Sequence, residues 1–173
     1  GGSLNWPVQD GEIVGKENKA SVLLRGLPSG NFIAETKLTF ELGTDTIRNY
    51  QQAGMVAYAS DDHFLRLCHV SIWNTRQVEF SKEMPFADRL AFGGNIVGPP
   101  ADTTWLRLAH RVDPDNGEHE FRAGSSRDGK NWIWGGVWTL PADSDPRIGL
   151  VSQGGATPET TAMFDYFRVY ESQ

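Results

Sequence analysis

The stretch SSRDGKNWIWGGVWTL, residues 125–140, holds Trp132, Trp134 and Trp138, with Gly135 and Gly136 between the second and the third. Tryptophans this dense either fill a core or build a flat apolar wall. An exposed indole suits the apolar face of a pyranose ring, because it offers a large rigid contact area. Asp128-Gly129 is a turn signal, so Trp132 and Trp134 belong to the strand after it with parallel orientations, while the glycine pair makes the orientation of Trp138 independent. Trp132 is expected in the core and Trp134 at the surface or rim; Trp138 is assigned to neither.

The carboxylates are the next candidates for chemistry. Glycosidase acids work in pairs roughly 5 to 9.5 Å apart. Glu79 and Glu83, four residues apart, would be separated by roughly 13 Å on a regular strand, which is too far. Glu118 and Glu120 are close enough in sequence, but they follow the turn DPDNG, where exposed charge is the ordinary reading. His63, His69, His110 and His119 are dispersed without metal-ligand spacing, and His110 alternates with Leu106 and Leu108 as an inward or rim residue would. Cys68, the single cysteine, lies in HFLRLCHV and reads as a buried structural thiol. No nucleophile elbow or phosphate-binding loop is present.

These residues need a scaffold, and the chain describes one. Its 173 residues fit a single domain, 1–173, long enough for a real core. The missing initiator Met and the opening GGSLNW read as an excised part of a larger protein. A net charge of −6 with scattered Lys and Arg argues against a nucleic-acid partner, and no apolar run is long enough to suggest a membrane. Short alternating segments recur between Gly, Pro, Asn and Asp: EIVG, SVLLRGL, FIAETKLTFEL, AGMVAYAS, HFLRLCHV, RQVEFSKEM, TWLRLAHRV, HEFRAGSS, NWIWG, VWTL, RIGLVS and AMFDYFRVY. About a dozen strands with marginal helix imply an all-β, two-sheet antiparallel jelly-roll β-sandwich. Residues 86–103, with weak alternation and Gly-Gly and Pro-Pro pairs, read as an extended loop.

Alternation also divides the faces. Leu65, Leu67, Leu106, Leu108 and Phe121 are expected to face the core, which leaves Arg66, Trp105, Arg107 and Arg122 on one outer surface. Together with Trp134, and with Trp73 in a loop, they are the candidate carbohydrate-binding residues.

The segments QQAGMVAYASDDHFLRL, TTWLRLAHRV, SSRDGKNW, IGLVSQGG and AMFDYFRVY resemble the concanavalin A-like (laminin G-like) jelly-roll domains appended to bacterial glycoside hydrolases. These include the C-terminal domains of family 43 xylosidases and arabinofuranosidases, and related DUF1349-type domains. WPVQDGEIVG is similar to the start of DUF1080-type domains. The resemblance implies a secreted, noncatalytic accessory module that binds polysaccharide or oligosaccharide beside a catalytic domain of the same chain. It also implies a structural calcium ion, with Asp165 as ligand and Asp10, Glu12 and Asn31 as further oxygen donors. Hydrolases on this fold carry paired acids in an E-x-D-x-x-E strand, which is absent here. A glycan-cleaving enzyme of the DUF1080 type and a purely structural domain remain the alternatives.

Overall fold

The structure is a computed structural model, and it describes residues 4–7, 20–44, 46, 48–154 and 160–171. Twelve strands and no helix occur among the described residues. They are β1 (Leu4–Pro7), β2 (Ser21–Gly26), β3 (Phe32–Thr39), β4 (Gln52–Ser60), β5 (His63–Ile72), β6 (Thr75–Phe86), β7 (Arg89–Ile96), β8 (Thr103–Val112), β9 (His119–Ser126), β10 (Ile133–Leu140), β11 (Arg147–Gln153) and β12 (Thr161–Glu171). Sheet A runs β1-β12-β3-β8-β9-β10 and sheet B runs β2-β11-β4-β5-β6-β7, every neighbouring pair antiparallel. This is the expected concanavalin A-like β-sandwich.

The core lies between the sheets, where period-two alternation buries one side of each strand. Sheet A contributes Leu38, Leu106, Leu108, Phe121 and Phe164, and sheet B contributes Met55, Leu65, Leu67, Phe80 and Leu150. Each buried phenylalanine here is worth about 3–5 kcal/mol against truncation to alanine. The leucine sets therefore face as their alternation requires. NWIWG and VWTL join into one strand, β10, and EIVG lies outside the described residues.

Two expectations change. Residues 86–103 are not a loop throughout, because β7 occupies 89–96 at the edge of sheet B. Most of its side chains stay exposed, so burial imposes no strong alternation for sequence reading to find. The second change concerns the outer side of sheet B, which is not an open surface. Val56, Phe64, Cys68 and Val151 form a second buried cluster there, flanked by Ala20, Val22, Leu24 and Tyr58.

Candidate functional site

The outer side of sheet A is the open face, and its register sets side chains in rows across the strands. One row reads Tyr166, Lys37, Trp105, Ser126; the next reads Arg168, Glu35, Arg107, Gly124, Trp134; a third reads Tyr170, Ile33, Ala109, Arg122, Val137. Trp105, Arg107, Arg122 and Trp134 thus come together as the sequence reading expected.

Arg66 does not join them. Its place in the alternation is right, but β5 lies in sheet B, so its side chain emerges on the opposite outer side of the sandwich, 6% exposed. There its Nε donates to Ser81 Oγ at 3.0 Å, and its guanidinium lies 3.9 Å from Glu79 and 5.1 Å from the Phe92 ring centroid. Trp73 is exposed as expected, at the turn between β5 and β6, with a left-handed φ of 52° and its N–H donating to Asn49 Oδ1 at 2.5 Å. It belongs to a hairpin of sheet B and, among the described residues, makes no ring contact with another tryptophan.

Trp132 corrects the expectation of a core residue. It stands immediately before β10 and is half-buried on the sheet A face, its ring centroid 6.2 Å from that of Trp134. The parallel orientation expected for the two holds. Trp138 is the residue that turns inward, packing on the core with its indole N–H donating to the Phe80 carbonyl at 3.2 Å.

Each tryptophan of the sheet A face is held in place. The Arg107 guanidinium lies 3.8 Å from the Trp132 ring centroid, that of Arg122 lies 5.5 Å from Trp134, and Lys37 Nζ lies 5.5 Å from Trp105. Arg107 Nε in turn donates to Glu35 Oε2 at 2.6 Å, while the Tyr166 hydroxyl donates to Glu35 Oε1 at 2.6 Å. Burial, with this carboxylate beside it, pushes the Tyr166 phenol well above its ordinary range. Trp134 lies flat against Gly124, where a Cβ would come within 3.0 Å of the indole. Trp105 is flanked by Gly129 at a φ of +71° in the turn after β9. The Asp128 carboxylate accepts the backbone N–H groups of Lys130 and Asn131 and the Asn131 amide, and these bonds hold its carboxyl well below its usual range.

Beside Trp134 lies a cleft of about 390 Å³ lined by Ala109, His110, Arg111, Glu120, Arg122 and Val137. Its wall carries an Arg111–Glu120 ion pair. His110, inward-facing as expected, closes one end: its Nδ1 lies 3.2 Å from the Gly30 carbonyl and its Nε2 lies 3.0 Å from His119 Nδ1. If Nδ1–H donates to that carbonyl, Nε2 accepts from His119.

Of the carboxylates weighed as glycosidase acids, Glu118 and Glu120 are half-buried where exposed charge was expected, and Glu120 lines the cleft, while Glu79 and Glu83 lie elsewhere. Glu79 accepts from Gln77 Nε2 at 2.8 Å and Glu83 is buried four residues away, both on the outer side of sheet B.

Asn31 and Asp165 do not share one coordination sphere. Asp165 is the extra residue of a bulge between the Phe164–Leu38 and Tyr166–Lys37 pairs, and its Oδ2 meets Lys37 Nζ at 2.5 Å. Asn31 precedes Phe32, which pairs with Glu171. At about 3.3 Å per residue, roughly 20 Å of strand separates Asn31 from Asp165. Asp10 and Glu12 lie outside the described residues.

Residues 8–170 match the family described as the beta xylosidase C-terminal concanavalin A-like domain. No curated protein matches the sequence. Among solved structures, the GH43 BlXynB protein from Bacillus licheniformis is similar with a TM-score of 0.71 at 18% identity, over 96% of this chain and 32% of that one. The xylan beta-1,4-xylosidase from Bacillus Halodurans is similar with a TM-score of 0.69 at 18% identity, over 95% and 32%. A functionally unknown protein from Saccharomyces cerevisiae has a TM-score of 0.69 at 14% identity, over 99% and 89%. This chain spans about a third of the length of the two bacterial proteins, and at such identities the likeness shows the fold alone. The family match extends over nearly the whole sequence and the two-sheet fold agrees with it: the chain belongs to the beta xylosidase C-terminal concanavalin A-like domain family.

Proposed function

We propose that this domain is a noncatalytic carbohydrate-binding module that works beside a glycoside hydrolase catalytic domain, holding polysaccharide on the outer face of sheet A. The observation that carries the reading is the group Trp105, Trp132 and Trp134, half-buried on one open sheet face and braced by Lys37, Arg107 and Arg122. Bracing matters because a rigid aromatic surface loses little entropy when a sugar ring stacks on it. The face is a shallow groove, which suits modest affinity for a chain bound along its length.

Affinity electrophoresis in gels containing xylan, arabinan, galactan, glucan or fructan tests this directly. At least one polymer should retard the domain, and Trp134→Ala should weaken that retardation by about tenfold, the equivalent of one good stacking contact. A domain that runs unretarded in every gel, while folded, would exclude the reading.

A second observation favours a docking role. Phe92 and Ile96 are exposed on β7, the last strand of sheet B, and give the outer side of that sheet an apolar flank. Such an apolar flank suits contact with a catalytic domain. If docking is the whole function, a family 43 catalytic domain supplied separately should bind the module, and Ile96→Glu should abolish that binding while the glycan gels stay silent.

A further inference from the structure

The cleft beside Trp134 differs chemically from the rest of the face. Arg107 is neutralised by Glu35, Lys37 by Asp165 and Arg111 by Glu120. Arg122 has no carboxylate partner among the described residues, and its side chain is exposed. Its Nε donates to the Gly135 carbonyl at 3.2 Å, and its guanidinium carbon sits 5.5 Å from the Trp134 ring centroid. That carbonyl is available because Gly135 and Gly136 form a bulge, two residues opposite one in β9, which releases the backbone from the ladder. Using Nε as the anchor leaves Nη1 and Nη2 as a fork directed away from it, the geometry that takes both oxygens of a carboxylate.

The surroundings fit such a ligand. Ala109 makes a shallow floor, Val137 an apolar wall, and two arginines stand against one glutamate in a chain whose net charge is −6. A uronate ring stacked on Trp134 would bring its carboxylate within reach of Arg122. We infer that this cleft is a subsite for an acidic sugar, and that the module prefers polysaccharides bearing uronic acids over their neutral counterparts. The inference rests on the proposed glycan-binding role of the sheet A face.

The test compares glucuronoxylan with the same polysaccharide after its carboxyl groups have been reduced to alcohols, by affinity electrophoresis at 20 and 300 mM NaCl. The acidic form should bind about tenfold tighter at low salt, and the preference should shrink at high salt as the ion pair is screened. Arg122→Gln should bring affinity for the acidic form down to that for the reduced form. Trp134→Ala should weaken both. Equal binding of the two forms by the unsubstituted domain, or a preference that survives in Arg122→Gln, would overturn the subsite and leave the binding module standing. Binding of neither form, nor of any other glycan, would overturn both. The salt comparison needs no variant, so a substitution that fails to fold does not spoil the test.

Discussion

Glu35 is a buried carboxylate on an otherwise open sheet face, and its two partners explain why it is tolerated. Arg107 supplies the countercharge and Tyr166 a second donor, so neither oxygen is left without a partner in a desolvated site. The histidines behave differently, because among the described residues no carboxylate hydrogen-bonds to the rings of His69 and His110, and Asp102 only partly offsets the burial of His69. Burial first, then Arg76 for His69 and His119 for His110, lowers both to about 4. An unfolded histidine titrates near 6.5, about the middle of the mildly acidic range. Between these values the unfolded chain binds more protons than the native one, so stability falls as pH drops from about 6.5 to about 4. Above that window both states are neutral and this contribution is flat. The melting temperature should therefore fall from pH 7 to pH 4.5. His110→Phe, which keeps the stack on Phe32 and the contact with Phe121, should make the fall shallower. A melting temperature independent of pH across this range would contradict the assignment of both rings as neutral.

At the scale of one element, β10 shows what alternation can and cannot tell. Trp134 and Trp138 are four residues apart, so a regular strand would turn both the same way. The bulge at Gly135-Gly136 adds one residue and reverses the parity, leaving Trp134 outside and Trp138 inside. The sequence marks the break but not its register, which is why Trp138 could be given no side. Trp132 was legible through its alternation with Trp134, and only the weight given to tryptophan as a core residue pointed the other way. Parity makes a sharp prediction. Deleting Gly136 alone restores one-to-one pairing and keeps both indoles on their present sides, so that variant should fold with a midpoint in urea close to that of the parent. Deleting both glycines should expel Trp138 from the core and cost on the order of 3–5 kcal/mol. Similar midpoints for the two deletions would show that the bulge does not set the facing.

Across the whole molecule the two sheets are unequal: sheet A is buried on one side, sheet B on both at its central strands β11, β4 and β5. The strands of both sheets were largely legible because the inner faces are mainly apolar, His69 and His110 apart, and every outer row of sheet A is mixed. Of the second layer on sheet B only the burial of Cys68 was legible, because the outward set Phe64, Arg66, Cys68 contains an arginine and so reads as surface. Arg66 is admitted there by Ser81, Glu79 and the Phe92 ring. Cys68 sits in this layer on β5, between β4 and β6, and it supplies a reporter of the entire fold. Burial, assisted by Glu79 and only partly offset by Arg66, pushes its thiol up to about 12, so the native state offers almost no reactive thiolate at neutral pH. Reaction with a thiol reagent then requires the chain to open. If the layer and the sandwich are one cooperative unit, the free energy of opening read from Cys68 labelling should equal the free energy of unfolding read from urea denaturation. Labelling with a much smaller opening free energy would mean that the outer layer of sheet B detaches by itself, exposing Phe64 and Arg66 while the core between the sheets stays closed.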